Sequence, residues 1–340
     1  MANSAIAAKA KSVYGSYLKK SDYDNLIHRS SVGSVVAYLK AIPRYAPIFS
    51  DIDENTVHRG KVEELLSENI FRRYIRLCKF SAHKKGGITD FYIRKTEAEQ
   101  VIKLIAAIVT KTQQSYFLSM PAYLMDYLSF DVTEAAGCKN LSELARVLEK
   151  LKFYKPLIPF LNAEKPDINR CITVVNGCYL SWAFSVINRD FKGEKKERLK
   201  EFLLRKTDAD NVLLCYRLKK FFDESEDRIK ELMLPFHYRV KHADIDAALK
   251  SQNPTDALIG LLSERCMPKT VTVEESFPEL GTMKANYLYF RHRLAMTSDE
   301  TEAIFSLLVL AETERANLQK IIEGIRYKES PAEIEKLVII

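Results

Sequence analysis

Apolar positions in this chain follow a helical beat. Val32, Val35, Val36 and Leu39 mark an i, i+3, i+4, i+7 stripe, and Val62, Leu65, Leu66, Ile70, Tyr74 and Leu77 mark a longer one. The first predicts a short helix capped by Ser30-Ser31 and stopped at Pro43, and the second a long helix over residues 57–80. Residues 5–20 read as a helix with small residues on one side, followed by a Ser21-Asp22 cap. Between the stripes lies a corner, Arg44-Tyr45-Ala46-Pro47. After a basic, Gly-containing loop at 83–87, Ala98, Val101, Ile102, Ile105, Ile108 and Val109 fall in phase on another helix. Two long helices around a short loop predict an antiparallel hairpin.

The same order then returns. Asp131 and Asn140 cap short helices, and Leu144, Val147, Leu148 and Leu151 form a stripe. Tyr154-Lys155-Pro156 repeats Tyr45-Ala46-Pro47 at a distance of 109 residues. A long helix over 167–188 carries Cys171, Val174, Val175, Cys178 and Trp182 on one face. The next helix carries Arg205-Lys206-Thr207-Asp208-Ala209-Asp210, which reproduces Arg94-Lys95-Thr96-Glu97-Ala98-Glu99 at a distance of 111 residues. Two landmarks at nearly one spacing point to duplicated modules. A third copy is weaker: residues 242–249 and 253–259 match the short helices, Leu262 falls where Leu39 and Leu148 stand, Pro268 falls where the corners stand, and Leu307 to Ile325 carry the last stripe. Matching Thr313-Glu314 to Thr96-Glu97 aligns that stripe and puts Ala311-Glu312 in place of Arg-Lys. The pattern predicts an all-α chain of three related helical modules, 1–115, 116–225 and 226–340, each with short helices and a long hairpin.

Composition narrows the function classes. The 340 residues hold 52 Lys+Arg against 45 Asp+Glu, and the mild excess of +7 is interleaved rather than gathered into the stripe or tail of a nucleic-acid binder. Arg72-Arg73-Tyr74-Ile75-Arg76 and Tyr289-Phe290-Arg291-His292-Arg293 read as arginines snorkelling beside core aromatics. The six cysteines are scattered without a Cys-x-x-Cys pair and read as reduced, buried thiols. No two of the six histidines stand at i, i+4, and neither a phosphate loop nor a nucleophile elbow occurs, so no metal, cofactor or catalytic residue is expected. The first fifteen residues lack the apolar core of a signal peptide. No uninterrupted apolar run is long enough to span a membrane.

The repeated motif supplies the candidate site residues: Arg94, Lys95, Glu97, Glu99, Arg205, Lys206, Asp208, Asp210, Glu312 and Glu314. Basic residues near a helix start can hold an anion. Thr followed by acids also suits first-turn capping and dipole pairing, which favours a structural or partner-interface role. The residues alone leave other readings open: a helical scaffold or adaptor, an all-α enzyme using Arg94, Lys95, Arg205 and Lys206 on phosphorylated substrates, or an RNA binder.

A resemblance separates these. The final run Glu312-x-Glu314-x-x-Asn317-Leu318-x-x-Ile321-Ile322-x-Gly324, the run Ala8-Lys9-Ala10-Lys11-Ser12-x-Tyr14-Gly15, Leu39, His58-Arg59-Gly60 and the Tyr-x-Pro corners resemble the C-type central-stalk component of V-type and archaeal A-type rotary ATPases, whose eukaryotic counterpart is the d-type component of the V-ATPase. The Glu-x-Glu of the last helix departs from versions of that family with more basic residues there. The resemblance implies a funnel of three helical domains with approximate threefold symmetry. It also implies partners, the membrane rotor ring and the central shaft, and a cytoplasmic position peripheral to the membrane. The implied role is torque transmission for ATP-driven ion transport or ATP synthesis, without catalysis.

Overall fold

Side-chain caps set where the helices begin. His58 Nδ1 accepts from Lys61 N–H, Asp167 from Arg170 N–H, and Asp299 from the N–H groups of Thr301 and Glu302. The structure is a computed structural model that describes residues 2–81 and 86–340, with side chains from Ala5 onward. Most of the predicted loop at 83–87 lies outside the described residues. The described residues contain helices and no strand, so the chain is all-α. The long helices are α1 (Ala2–Tyr14), α2 (Arg59–Cys78), α3 (Phe91–Thr110), α4 (Ile168–Asp190), α5 (Gly193–Phe222), α6 (Pro278–Met296) and α7 (Glu300–Tyr327). Helices α3, α5 and α7 each stop on a left-handed residue that is not glycine: Lys111, Asp223 and Lys328.

The chain divides into two compact units, residues 1–83 with 279–340, and residues 84–278. In the first, α1 and α2 pack on α7. Helix α7 is buried nearly all round from Glu300 to Gly324, as a central helix must be. Its lower half, Leu318, Ile321 and Ile322, joins Tyr23, Leu26, Val36, Leu39, Tyr45 and Phe49 from the short N-terminal helices in one apolar core. The chain's two ends therefore share a core.

In the second unit, α3 packs on α4, with the short helices of residues 113–161 completing the core. Helix α5 packs on Pro254–Leu261 and on the π turn Leu262–Cys266, and shares a core with Ile229, Ile245 and Leu249. Helices α4 and α5 touch as a hairpin. The first predicted hairpin is different: α2 belongs to the first unit and α3 to the second. The apolar stripe of α3 finds its match one repeat further along, on α4, just as α2 finds its match on α7. A short loop made α2 and α3 look like partners, whereas burial of the stripes governs the packing. Trp182, placed on the core face by the pattern, is only partly buried. Four cysteines are buried, and Cys78 and Cys266 are half-buried.

Candidate functional site

The Thr-acid pairs lie beyond the first turn, in the second turn of α3 and mid-helix in α5 and α7, so the first-turn capping role is not theirs. Their helical phase points each acid inward. Glu97, Asp208 and Glu314 are 0%, 2% and 4% exposed. A carboxylate so enclosed must have its oxygens satisfied, and each one does.

Glu97 Oε2 accepts from Ser129 N–H at 2.6 Å and from the Ser129 hydroxyl at 2.7 Å, while Oε1 accepts from the Tyr154 hydroxyl at 3.3 Å. Arg94 Nη1 lies 3.1 Å from Oε1. Glu314 repeats the arrangement with other partners. Leu18 N–H donates to Oε2 at 2.7 Å and the Tyr45 hydroxyl to Oε1 at 2.6 Å, with Arg44 Nη1 at 2.6 Å. Asp208, one methylene shorter, accepts three backbone groups: Tyr238 N–H at 2.9 Å, Arg239 N–H at 2.7 Å and Val240 N–H at 3.0 Å. In each case the acid grips the chain just before a short helix begins, at Lys20, Val132 or His242. The two glutamates also take the hydroxyl of the Tyr-x-Pro corner.

The third corner is Cys266-Met267-Pro268. Its thiol feels the charge of Asp208, and burial first, that charge second, push it up to about 12. Cysteine is a weak donor, and the aspartate there takes backbone N–H groups instead. The Tyr45 and Tyr154 hydroxyls are pushed far above their ordinary value, by burial and then by the neighbouring glutamate, so they stay protonated as donors. Burial also pushes the Glu314 carboxyl up, against the pull of Arg44, Tyr45 and Leu18 N–H.

The cation changes sides between the glutamate sites. Arg94 reaches Glu97 from the same helix, and its guanidinium carbon lies 6.0 Å from the centre of the Phe153 ring. On α7 the equivalent position is Ala311, and Arg44 reaches across from beside the corner tyrosine, with its guanidinium 3.6 Å from the Tyr17 ring centre. Arg205, at the same place on α5, lies 3.8 Å from Glu201.

Three residues after each acid stands a buried amide that the repeated motif does not single out: Gln100, Asn211 and Asn317. Asn211 Nδ2 donates to Leu234 C=O at 3.0 Å and its Oδ1 accepts from Leu234 N–H at 2.9 Å. Asn317 does the same to Ile339, at 2.6 and 3.0 Å. The signal is present in the sequence as Thr-acid-x-x-amide on three helices. Asn211 and Asn317 are chain clamps, satisfied by internal partners.

A family model described as ATP synthase (C/AC39) subunit matches residues 6–337, which include all three acids. The chain belongs to that family. Comparison with curated proteins finds no match. As a member of the C/AC39 family it is a stalk component of V/A-type rotary ATPases.

Of the ten candidates in this C/AC39 protein, Glu97, Asp208 and Glu314 are spent inside the fold. Lys95 and Glu99 pair at 3.8 Å with Glu99 half-exposed, and Lys206 and Asp210 pair on an exposed face of α5. Arg94 and Arg205 are partly covered, and Glu312 is partly exposed on α7. Among the described residues no group of three or more His, Cys, Asp or Glu is placed to hold a metal. Helix α4 is long and apolar enough to cross a membrane by length and composition alone, but its Cys171 and Val175 are packed into the core that holds α3 and the Tyr154 corner.

Proposed function

We propose that this chain is the non-catalytic coupling element of a V/A-type rotary ATPase, capping the membrane rotor ring on its cytoplasmic side and receiving the central shaft. It carries torque between ATP turnover and ion translocation. The observation that carries the reading is the use of all three repeated acids as internal clamps within a family of rotary-ATPase stalk components. A part that transmits torque needs helices that do not slide. A saturated buried carboxylate fixes a helix to the chain that passes it, and close-packed interiors transmit strain. The threefold sequence period supports three modules, 1–115, 116–225 and 226–340, arranged as a funnel. The exposed Glu99, Lys206 and Asp210, with the half-buried Lys95, are the partner-interface candidates, since such mixed-charge contacts steer assembly and still release.

Affinity purification from native membranes tests this. The tagged chain is expected to bring down the rotor ring and the shaft together, and both are lost when the tag is on an unrelated helical protein. Isolation with neither ring nor shaft overturns the reading.

A further inference from the structure

Helices α1, α2 and α7 frame a cavity of about 220 Å³ in the first unit. Its floor is aliphatic, made by Val13, Ile70, Leu77, Ile304, Leu307 and Leu308. Phe80, 73% exposed, extends the apolar surface at the edge. The charged part of the lining is one-sided: Lys9, Arg44, Arg73 and Arg76 line it beside Tyr17 and Tyr74, and no Asp or Glu does.

The local charge is only partly balanced. Arg44 is matched by Glu314 outside the lining, yet its Nε meets no acceptor among the described residues, on a side chain 5% exposed. Arg73 rests on neutral acceptors, Asn69 Oδ1 at 2.8 Å and Arg44 C=O at 3.1 Å. Burial, then Arg44 and Arg76, pull its guanidinium below the usual arginine range. Lys9 and Arg76 make no ion pair among the described residues. Like charges around a low-dielectric pocket raise the local potential for an anion.

We propose that this cavity binds a short alkyl anion, with the chain on the aliphatic floor and a carboxylate or phosphate head between Arg73 and Arg76. The size fixes the class. A cavity of about 150 Å³ already holds benzene, and drug-sized ligands need about 300 Å³ or more, so a medium-length chain fits and a whole phospholipid does not. The same chemistry comes from a free fatty acid or from the edge of an anionic lipid surface.

Calorimetric titration of the full-length chain with octanoate, octanol and inorganic phosphate tests it, alongside flotation with phosphatidylcholine vesicles with or without phosphatidylglycerol. Octanoate is expected to bind at least tenfold more tightly than octanol or phosphate. The exposed-residue variants Arg76→Gln and Lys9→Gln weaken it about tenfold each, while Arg72→Gln, one position off the cavity, leaves it unchanged. Flotation only with phosphatidylglycerol, lost in Arg76→Gln, assigns the head to a lipid surface instead of a free acid. Circular dichroism melts verify that each variant is folded. Equal affinity for octanol and octanoate, indifference to Arg76→Gln and Lys9→Gln, or no binding of either probe overturns the proposal.

Discussion

At the residue scale the clamps make separable demands. Tyr45→Phe and Tyr154→Phe each remove one hydroxyl from a buried glutamate and change nothing else, so each is expected to lower stability by about 1–3 kcal/mol in urea melts. Asp208→Ala strands three backbone N–H groups and is expected to cost at least as much. Arg44→Met leaves Glu314 buried without its cation, a loss of about 3–5 kcal/mol at neutral pH. The sign of its pH dependence follows from the carboxyl. Glu314 already sits above its ordinary value, and without Arg44 it rises further. The native state then holds a proton that the unfolded chain releases, so the penalty is full at high pH and shrinks as pH falls through the folded value toward that of an unfolded carboxyl. Melts of the variant from pH 8 to pH 5 measure this, and a penalty that grows on acidification refutes it. Cysteine chemistry gives another check. Burial pushes the thiols of Cys171 and Cys178 up to about 11 and those of Cys215 and Cys266 to about 12, so all four are expected to resist iodoacetamide at pH 8 and to react in urea. Repetition along the chain makes the acids visible. The corner tyrosines are visible the same way, whereas Leu18, Tyr238, Arg239 and Val240 stay hidden because they act through backbone N–H groups that carry no residue signature.

At the element scale the periodicity locates the helices well. The stripes at 32–39 and 57–80 correspond to Val32–Lys40 and Arg59–Cys78, and the caps at Ser31, Asp131 and Asn140 stand where composition puts them. Asp22 is an exception. It sits in the third turn position of Lys20–Ile27 and accepts from Lys19 N–H, closing the cap from inside the helix. Loop length misleads the pairing of α2 with α3, since a stripe does not say which other stripe covers it. Two glycines record close approaches that no pattern shows. A Cβ on Gly33 would lie 2.0 Å from the Glu54 carbonyl oxygen, which is backbone and cannot move aside. A Cβ on Gly324 would lie 2.5 Å from the buried Ile334 side chain, where Pro331–Leu337 packs on α7. Gly33→Ala is expected to destabilise by about 2–3 kcal/mol or more, and Gly324→Ala by less because a side chain can shift. Thermal melts of the two variants rank them, and a larger loss at Gly324 contradicts this account.

At the scale of the whole molecule, the family makes this a stalk component of a V/A-type rotary ATPase. The mechanical role proposed for the chain draws on its clamps. Its repeated acids are closed off from solvent, and each ties a helix to the segment that follows in the repeat, with α7 tied to the chain's own beginning. The family resemblance is legible because it rests on sequence runs. The clamp of α7 on the N-terminal segment is not, because it joins residues almost three hundred positions apart, such as Leu18 and Glu314. The most direct test of the coupling role is ATP-driven ion uptake by membrane vesicles carrying the complex with and without this protein, measured beside ATP hydrolysis by the detached catalytic head. Omission is expected to abolish uptake and leave hydrolysis by the head intact. Undiminished uptake in its absence, or loss of hydrolysis by the isolated head, would contradict the account.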